Sequence, residues 1–345
     1  MIPIQNIYYM LSYAFQVLNE QGYKNIATEQ FNNTGELMAA ILEKGIAIQI
    51  KRGLGKEYIL QTEALSSLRG KIDIAESIKT QSMLRKQLIC TYDEFSVNSI
   101  MNRIIKSTVE LLLRSNISKQ RKKNLRKLMV YFSEVDFIDL YTVNWNVQYN
   151  RNNQTYRMLI SICYLVVKGL LQTQSNGHTK LMDFLDEQRM CRLYEKFILE
   201  YYRREFKNQI TANASQIPWQ LDNEENSMLP VMQSDIMLQS GEKVLIIDAK
   251  YYEHSTQVQF DKHTIHSGNL YQIFTYVKNK EYELREKEHT VSGMLLYAKT
   301  DEEIYPNNVY QMSGNQITVR TLDLNLPFDE IAGQLNTIAK THFDL

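Results

Sequence analysis

Two aspartates and a lysine offer the most direct chemistry in this sequence. Asp248 and Lys250 lie in VLIIDAKYY, residues 244–252. They are two apart, so they share one face of any strand that the apolar run before them forms. Asp235 stands 13 residues earlier (248 − 235), in SDIML, with Met237 on its side and Ile236 and Leu238 on the other. If the two runs pair as a hairpin through LQSGEK, both carboxylates reach one edge of a sheet. Like charges that close repel each other, and a divalent cation is the usual remedy. Hard carboxylate oxygens suit Mg²⁺, with Mn²⁺ as a substitute. A lysine beside such a pair can orient the attacking water or meet charge developing on a phosphate. The pattern points to metal-assisted phosphodiester hydrolysis, with Asp235 and Asp248 as metal ligands and Lys250 as the charge-handling group. D-x-K alone equally suits a salt bridge at a strand end.

Flanking residues extend the set. Gln272 and Tyr276 are four apart in YQIFTY and share one helix face. Both can hydrogen-bond a carboxylate, a phosphate or water. Upstream, Glu195 lies in RLYEKFILEYY, with Glu187 and Glu200 as rivals on the same helix. His254, His263 and His266 follow the D-x-K stretch, but without the short fixed spacing of a metal site. They read as loop residues that approach a nucleic acid.

These side chains need a scaffold. DFLDEQRMCRLYEKFILEYYRREF predicts a long helix, VMQSDIML and VLIIDAKYY predict strands, GNLYQIFTYVKNK a helix and VSGMLLYA a further strand. Helix, strand, strand, helix, strand describes a mixed α/β core. Before it, TQSNGHTK (173–180) is the clearest polar break. The N-terminal part opens with an amphipathic helix in IPIQNIYYMLSYAF. A helix over 33–54 capped by Asn33 or Thr34 follows, then strands around LRGKIDI and QLICTYDEFS. Helices from an Asn98 cap, over about 118–133, and in YRMLISICYLVVKGLL complete it.

Composition narrows the classes. The 39 basic and 39 acidic side chains cancel over 345 residues, and Gly and Pro number only 13 and 5. That argues against disorder and requires any nucleic-acid contact to be local. Cys90, Cys163 and Cys191 are odd in number and form no CxxC pair, which fits reduced thiols rather than a disulfide framework or zinc ribbon. No run reaches a membrane-spanning length, so a cytoplasmic protein is expected. The densest basic run, SKQRKKNLRK (118–127), carries six positive charges. It reads as a solvated turn or as a phosphate contact. Arg103 and Lys106 read as surface charges or ion pairs within the domain. Arg69 and Lys71 flank Gly70 on an expected hairpin, and an arginine there is suited to reaching a nucleotide site in trans.

The helix Glu, the Asp, D-x-K and Q-x-x-x-Y together resemble the PD-(D/E)XK nuclease superfamily in its RecB-like branch, with Ser234 where the motif has Pro. IPIQNIYYMLSYAF, LRGKIDI, YDEFSVNSIMNRIIK and YRMLISIC resemble the McrC family, the nuclease subunits of McrBC modification-dependent (5-methylcytosine) restriction systems. The resemblance spans essentially the whole chain. It implies an α+β or α/β fold in two parts. Residues 1–175 would form a docking domain, β-rich over about 55–97 and helical over about 98–175. Residues 176–345 would form a PD-(D/E)XK domain with a central mixed sheet flanked by helices. It also implies a hexameric AAA+ GTPase partner of McrB type that binds GTP itself, and double-stranded DNA carrying modified cytosine as target. Asp235, Asp248, Lys250, Glu195, Gln272 and Tyr276 would be the catalytic group, and Arg69 and Lys71 would meet the partner. No GxxxxGK[ST] motif occurs, so any motor must come from elsewhere. The competing expectations are a stand-alone RecB-like repair nuclease and a non-catalytic adaptor of an AAA+ motor.

Overall fold

The computed structural model describes residues 2–15, 18, 23, 26, 29, 31, 33–150, 153, 155–175, 187–223, 228–251, 257–259, 262–299 and 305–345. The chain divides into two compact units, residues 1–27 with 185–345, and residues 28–184. The first helix, α1 (Ile4–Ala14), therefore groups with the C-terminal unit, whereas a division at 175/176 groups it with the N-terminal part. Its contacts show why. Asn6 donates to the carbonyls of Leu324 and Leu326, each at 2.8 Å. Tyr9 stacks on Phe328 at 4.4 Å, and Tyr13 donates to Glu205 at 2.9 Å. Side chains at helical spacing in the first residues thus bury against residues 197–205 and 324–328, a pairing invisible to local sequence.

The 28–184 unit runs α2 (Thr34–Arg52), β1 (Glu57–Leu65), β2 (Lys71–Asp73), α3 (Ile74–Lys79), β3 (Leu88–Ser96), α4 (Ile100–Arg114), α5 (Lys119–Met129) and α6 (Tyr156–Ser175). Asn33 caps α2 by accepting from the Glu36 amide at 2.8 Å, and Gly53 ends it at φ 91°. The cap of α4 is Ser99 rather than Asn98. Asn98 instead brackets Asp136, donating to its carboxylate at 2.6 Å and accepting from its amide at 2.8 Å. Arg103 and Lys106 hold the main-chain carbonyls of Phe137 (3.3 Å) and Phe132 (2.9 Å), so among the described residues they bind backbone rather than forming ion pairs. The three strands are antiparallel in the order β1-β3-β2. Arg69 and Lys71 therefore do not flank a hairpin turn, because β1 and β2 pair on opposite edges of β3. Gly70 is required there: its φ is 68°, and a Cβ would stand 2.4 Å from the Thr91 carbonyl.

The other unit continues with α7 (Glu187–Glu205), β4 (Thr211–Asn213), β5 (Gln216–Ile217), β6 (Met232–Gln233), β7 (Ile236–Ser240), β8 (Lys243–Lys250), β9 (Gln257–Gln259), β10 (Lys262–Thr264), α8 (Ser267–Glu283), β11 (Thr290–Ala298), β12 (Asn308–Met312), β13 (Asn315–Leu322) and α9 (Phe328–Phe343). Its main sheet has the order β12-β13-β11-β8-β7-β4 and is mixed. β8, β11 and β13 are parallel, and β7 returns antiparallel on β8. Residues 244–249 of β8 are buried on both faces, as its continuous apolar run requires. Val244 and Ile246 join Met237, Ile273, Tyr276, Val277, Val291 and Leu295 in one core cluster. α8 lies so close to β11 that a Cβ on Gly293 would meet Ile273 and Val277 side chains at 2.8 Å.

Candidate active site

The hairpin that the apolar runs require is present. β7 and β8 pair from Ser240–Lys243 to Ile236–Ile247, turning through Gly241 at φ 57°. Carried one residue further, the same register sets Asp235 opposite Asp248. Asp235 immediately precedes β7, and its Oδ2 accepts the Ala249 amide at 2.9 Å. The strand end and the carboxylate therefore fix each other. The pair lies at the C-terminal end of β8, the end of a parallel strand at which open α/β sheets commonly place their ligands.

Asp248 is 1% exposed, and Lys250 Nζ stands 2.9 Å from its Oδ2. Neither Asp248 oxygen gains a hydrogen bond of ordinary geometry among the described residues. Burial pushes the Asp248 carboxyl up to about 7; Lys250 opposes that shift and Asp235 adds to it. A carboxylate kept this dry, with an oxygen left unpartnered, is costly unless something else meets it.

Alternation along β8 puts Asp248 and Lys250 on the side of Ile246, the side that α8 covers. Lys250 donates to Gln272 Oε1 at 3.3 Å, and Gln272 donates to the Tyr276 hydroxyl at 2.9 Å. The one-turn spacing of Gln272 and Tyr276 therefore builds a short relay that ends on the lysine.

Glu195 approaches from α7. Arg192, Glu195, Lys196, Ser234 and Asp235 line one open cavity of about 400 Å³. Burial raises the Glu195 carboxyl, with the Asp235 charge adding to the effect. Cys191, one turn earlier, donates its thiol to Glu195 at 3.0 Å, and burial lifts that thiol to about 12. Of the rivals, Glu200 is paired with Arg203 at 2.8 Å, and the Glu187 side chain lies outside the described residues. Cys191 is the site neighbour that motif reading missed. Its i, i+4 spacing to Glu195 was the available signal.

No group of three or more His, Cys, Asp or Glu is arranged to hold a metal among the described residues. His254 and the side chain of His263 fall outside them, and His266 sits at the N-terminal boundary of α8. All three cysteines are free. No described helix is long and apolar enough to cross a membrane. Away from this site, the Arg69 guanidinium lies over the Tyr92 ring at 4.1 Å, and Lys71 is exposed.

Comparison with known proteins places the chain. A refined half-complex of Thermococcus gammatolerans McrB AAA+ hexamers with bound McrC matches with a TM-score of 0.49 at 18% identity, covering 97% of this chain and 76% of that one. A second Thermococcus gammatolerans McrBC complex matches with a TM-score of 0.42 at 21% identity over 59% of each chain. The type IV methyl-directed restriction enzyme EcoKMcrBC of Escherichia coli (strain K12) is 30% identical over 329 residues, 94% of this chain and 93% of that protein. The family profile described as McrBC 5-methylcytosine restriction system component matches residues 5–298. On these two sequence matches, over nearly its whole length, the chain belongs to the McrBC 5-methylcytosine restriction system component family, as an McrC-type member.

Proposed function

We propose that this chain is the DNA-cleaving subunit of an McrBC-type restriction complex, a metal-dependent endonuclease with a PD-(D/E)XK site at the end of β8. The observation that carries this reading is the facing pair Asp235 and Asp248 with Lys250 on Asp248. Asp235 and Asp248 suit Mg²⁺, or Mn²⁺ in its place. Two carboxylates suffice for an ion that keeps most of its waters, and the buried Asp248 oxygens, short of hydrogen bonds of ordinary geometry, are what such an ion would satisfy. When bound, the ion lowers the pKa of water and offsets charge on a phosphate.

The chain's own groups divide the remaining work. Asp235, tied to the Ala249 amide, keeps its orientation without a bound ligand. Lys250 places a cation where the phosphate would accumulate charge, and the Gln272–Tyr276 relay limits where its ammonium can point. Glu195, held by the Cys191 thiol, lines the cavity, where its carboxylate can orient water or hold a proton. Water attacks phosphorus, the P–O bond to the leaving sugar oxygen breaks, and that oxygen takes up a proton.

Family membership supports a division of labour. The unit of residues 185–345 with 1–27 would cut. The 28–184 unit would dock on an AAA+ GTPase of McrB type and stimulate its GTP hydrolysis, with Arg69 and Lys71 among the docking residues. GTP would be bound by that partner, and duplex DNA carrying modified cytosine would be the cytoplasmic target.

The deciding experiment mixes the chain with its AAA+ partner and follows GTP hydrolysis and cleavage of methylated plasmid with Mg²⁺. Asp248→Asn should abolish cleavage and leave GTPase stimulation intact. Cleavage at the wild-type rate by that variant would remove the site assignment. Metal-dependent cleavage without any partner effect would point to a stand-alone nuclease.

A further inference from the structure

The geometry points to a second DNA contact: the outward face of α5, in the 28–184 unit, fits the phosphate backbone of a duplex. This inference rests on the DNA-cleaving reading, which names the polyanion.

α5 reads KQRKKNLRKLM and contains no acidic residue. Its inner side is set by Leu125, which is buried, and by Arg121. Arg121 is turned onto Glu43 at 2.8 Å, Glu29 at 2.9 Å and Glu36 at 3.5 Å. One of the six cations of the run is thus neutralised inside the unit. The other five, Lys119, Lys122, Lys123, Arg126 and Lys127, recur at i, i+3, i+4, i+7 and i+8 and share the opposite arc. Lys122 is half-buried and the other four are exposed. None of the five forms an ion pair or a side-chain hydrogen bond among the described residues.

Ordinary solvation does not account for this arrangement. Some exposed helical cations elsewhere in the chain sit one turn from an acid, as in Glu110–Arg114 at 3.0 Å and Glu200–Arg203 at 2.8 Å. α5 does the reverse. It sets like charges four apart at Lys119–Lys123, Lys122–Arg126 and Lys123–Lys127, each unfavourable to the helix. Lys119 also lies in the first turn, against the positive end of the helix dipole. In a chain whose 39 basic and 39 acidic groups cancel overall, five uncompensated cations on one arc await an external polyanion. The stripe spans about 12 Å at a rise of about 1.5 Å per residue. The same length of duplex axis carries about seven phosphate charges. Lysines on flexible stems suit a contact that holds the duplex without reading its sequence.

The test uses the full chain with all five residues changed to Gln, and a second variant with the four lysines changed to Arg. Binding of a short duplex, modified and unmodified, is followed by fluorescence anisotropy between about 50 and 200 mM salt. Each lost phosphate contact lowers the salt slope by about 0.9, so the Gln variant, which removes five cations, should lose about 4.5 from the slope, equally for both duplexes. The Arg variant should keep the wild-type slope, and circular dichroism should show both folded. An unchanged slope in the folded Gln variant overturns the proposal. So does absence of duplex binding by the wild type at the lowest salt. Loss of GTPase stimulation with an unchanged slope would assign the stripe to an acidic protein surface instead. A wild type that binds with a steep slope through these residues and never cleaves even with its AAA+ partner, GTP and Mg²⁺ would sink the nuclease reading and leave this one standing.

Discussion

Asp235 and Asp248 face each other one ladder step beyond Ile236 and Ile247, and the amide of the residue after Asp248 donates to Asp235 at 2.9 Å. Charge and hydrogen bonding can therefore be separated by mutation. Asp235→Asn keeps an acceptor for Ala249 and removes the charge, so cleavage should fall about 100-fold or more with little change in melting temperature. Asp235→Ala should lose cleavage equally and also about 1–3 kcal/mol of stability, because the Ala249 amide loses its acceptor. Plasmid cleavage and urea unfolding of both variants test this. An active Asn variant would exclude Asp235 from the chemistry.

The pH dependence of stability follows from Asp248. Its carboxyl ionises near 3.8 in an exposed chain and near about 7 when buried in the fold. Between these values the folded protein holds a proton that the unfolded chain has released. Stability from this group is therefore complete below about 4, declines as pH rises to about 7, and is level above. At most roughly 4 kcal/mol is involved. Other carboxylates add their own slopes, so the measurement is the difference between wild type and Asp248→Asn in chelator across this range. Parallel curves would refute the buried-acid assignment.

Mg²⁺ should reverse that loss. An ion bound only by the folded state at about ten times its Kd adds about 1.4 kcal/mol. Thermal melts with and without Mg²⁺ at pH 7.5 should show the gain in wild type and not in Asp248→Asn. An equal gain in both would place the ion elsewhere.

Lys250→Met leaves Asp248 without its cation. The carboxyl should then stay protonated to higher pH, and cleavage should fall about 100-fold. Gln272→Leu, which removes the acceptor for Lys250 and the donor to Tyr276 but keeps the lysine's charge, should cost less than Lys250→Met. The rate ratio of the two variants across pH separates the lysine's charge from its orientation.

Gly293→Val tests the packing beneath the relay. A Cβ there meets Ile273, Val277 and Ile317 within 2.9 Å, so overpacking of about 1–3 kcal/mol is expected. The strain falls on α8, which carries Gln272 and Tyr276, so activity should drop along with the urea midpoint. A neutral Gly293→Val would mean that α8 can shift freely.

Much of the site was readable because its signals are local. An apolar run ending in D-x-K dictates a buried strand with both polar groups on one face, and a Gln and Tyr four apart dictate a shared helix face. The Asn33 cap and the hairpin between 236 and 247 follow from the same short-range rules. Asn98 and the Arg69–Lys71 turn did not follow them. Ser99 and Asn98 are both good caps, and only the position of Asp136, 38 residues on, decided which one caps α4. Likewise β2 pairs with β3, not β1, because register is chosen by the partner strand's faces.

The sequence by itself determined residue types, periodicities and family, since these depend on spacing along the chain. Only the tertiary structure decided that Glu195 of α7 lines the cavity with Asp235, that α1 packs with residues near 324–328, and that Arg121 is withdrawn from the basic stripe by three glutamates. Each of those outcomes is set by burial and by charges brought together across tens to hundreds of residues. Local patterns carry no record of that distance.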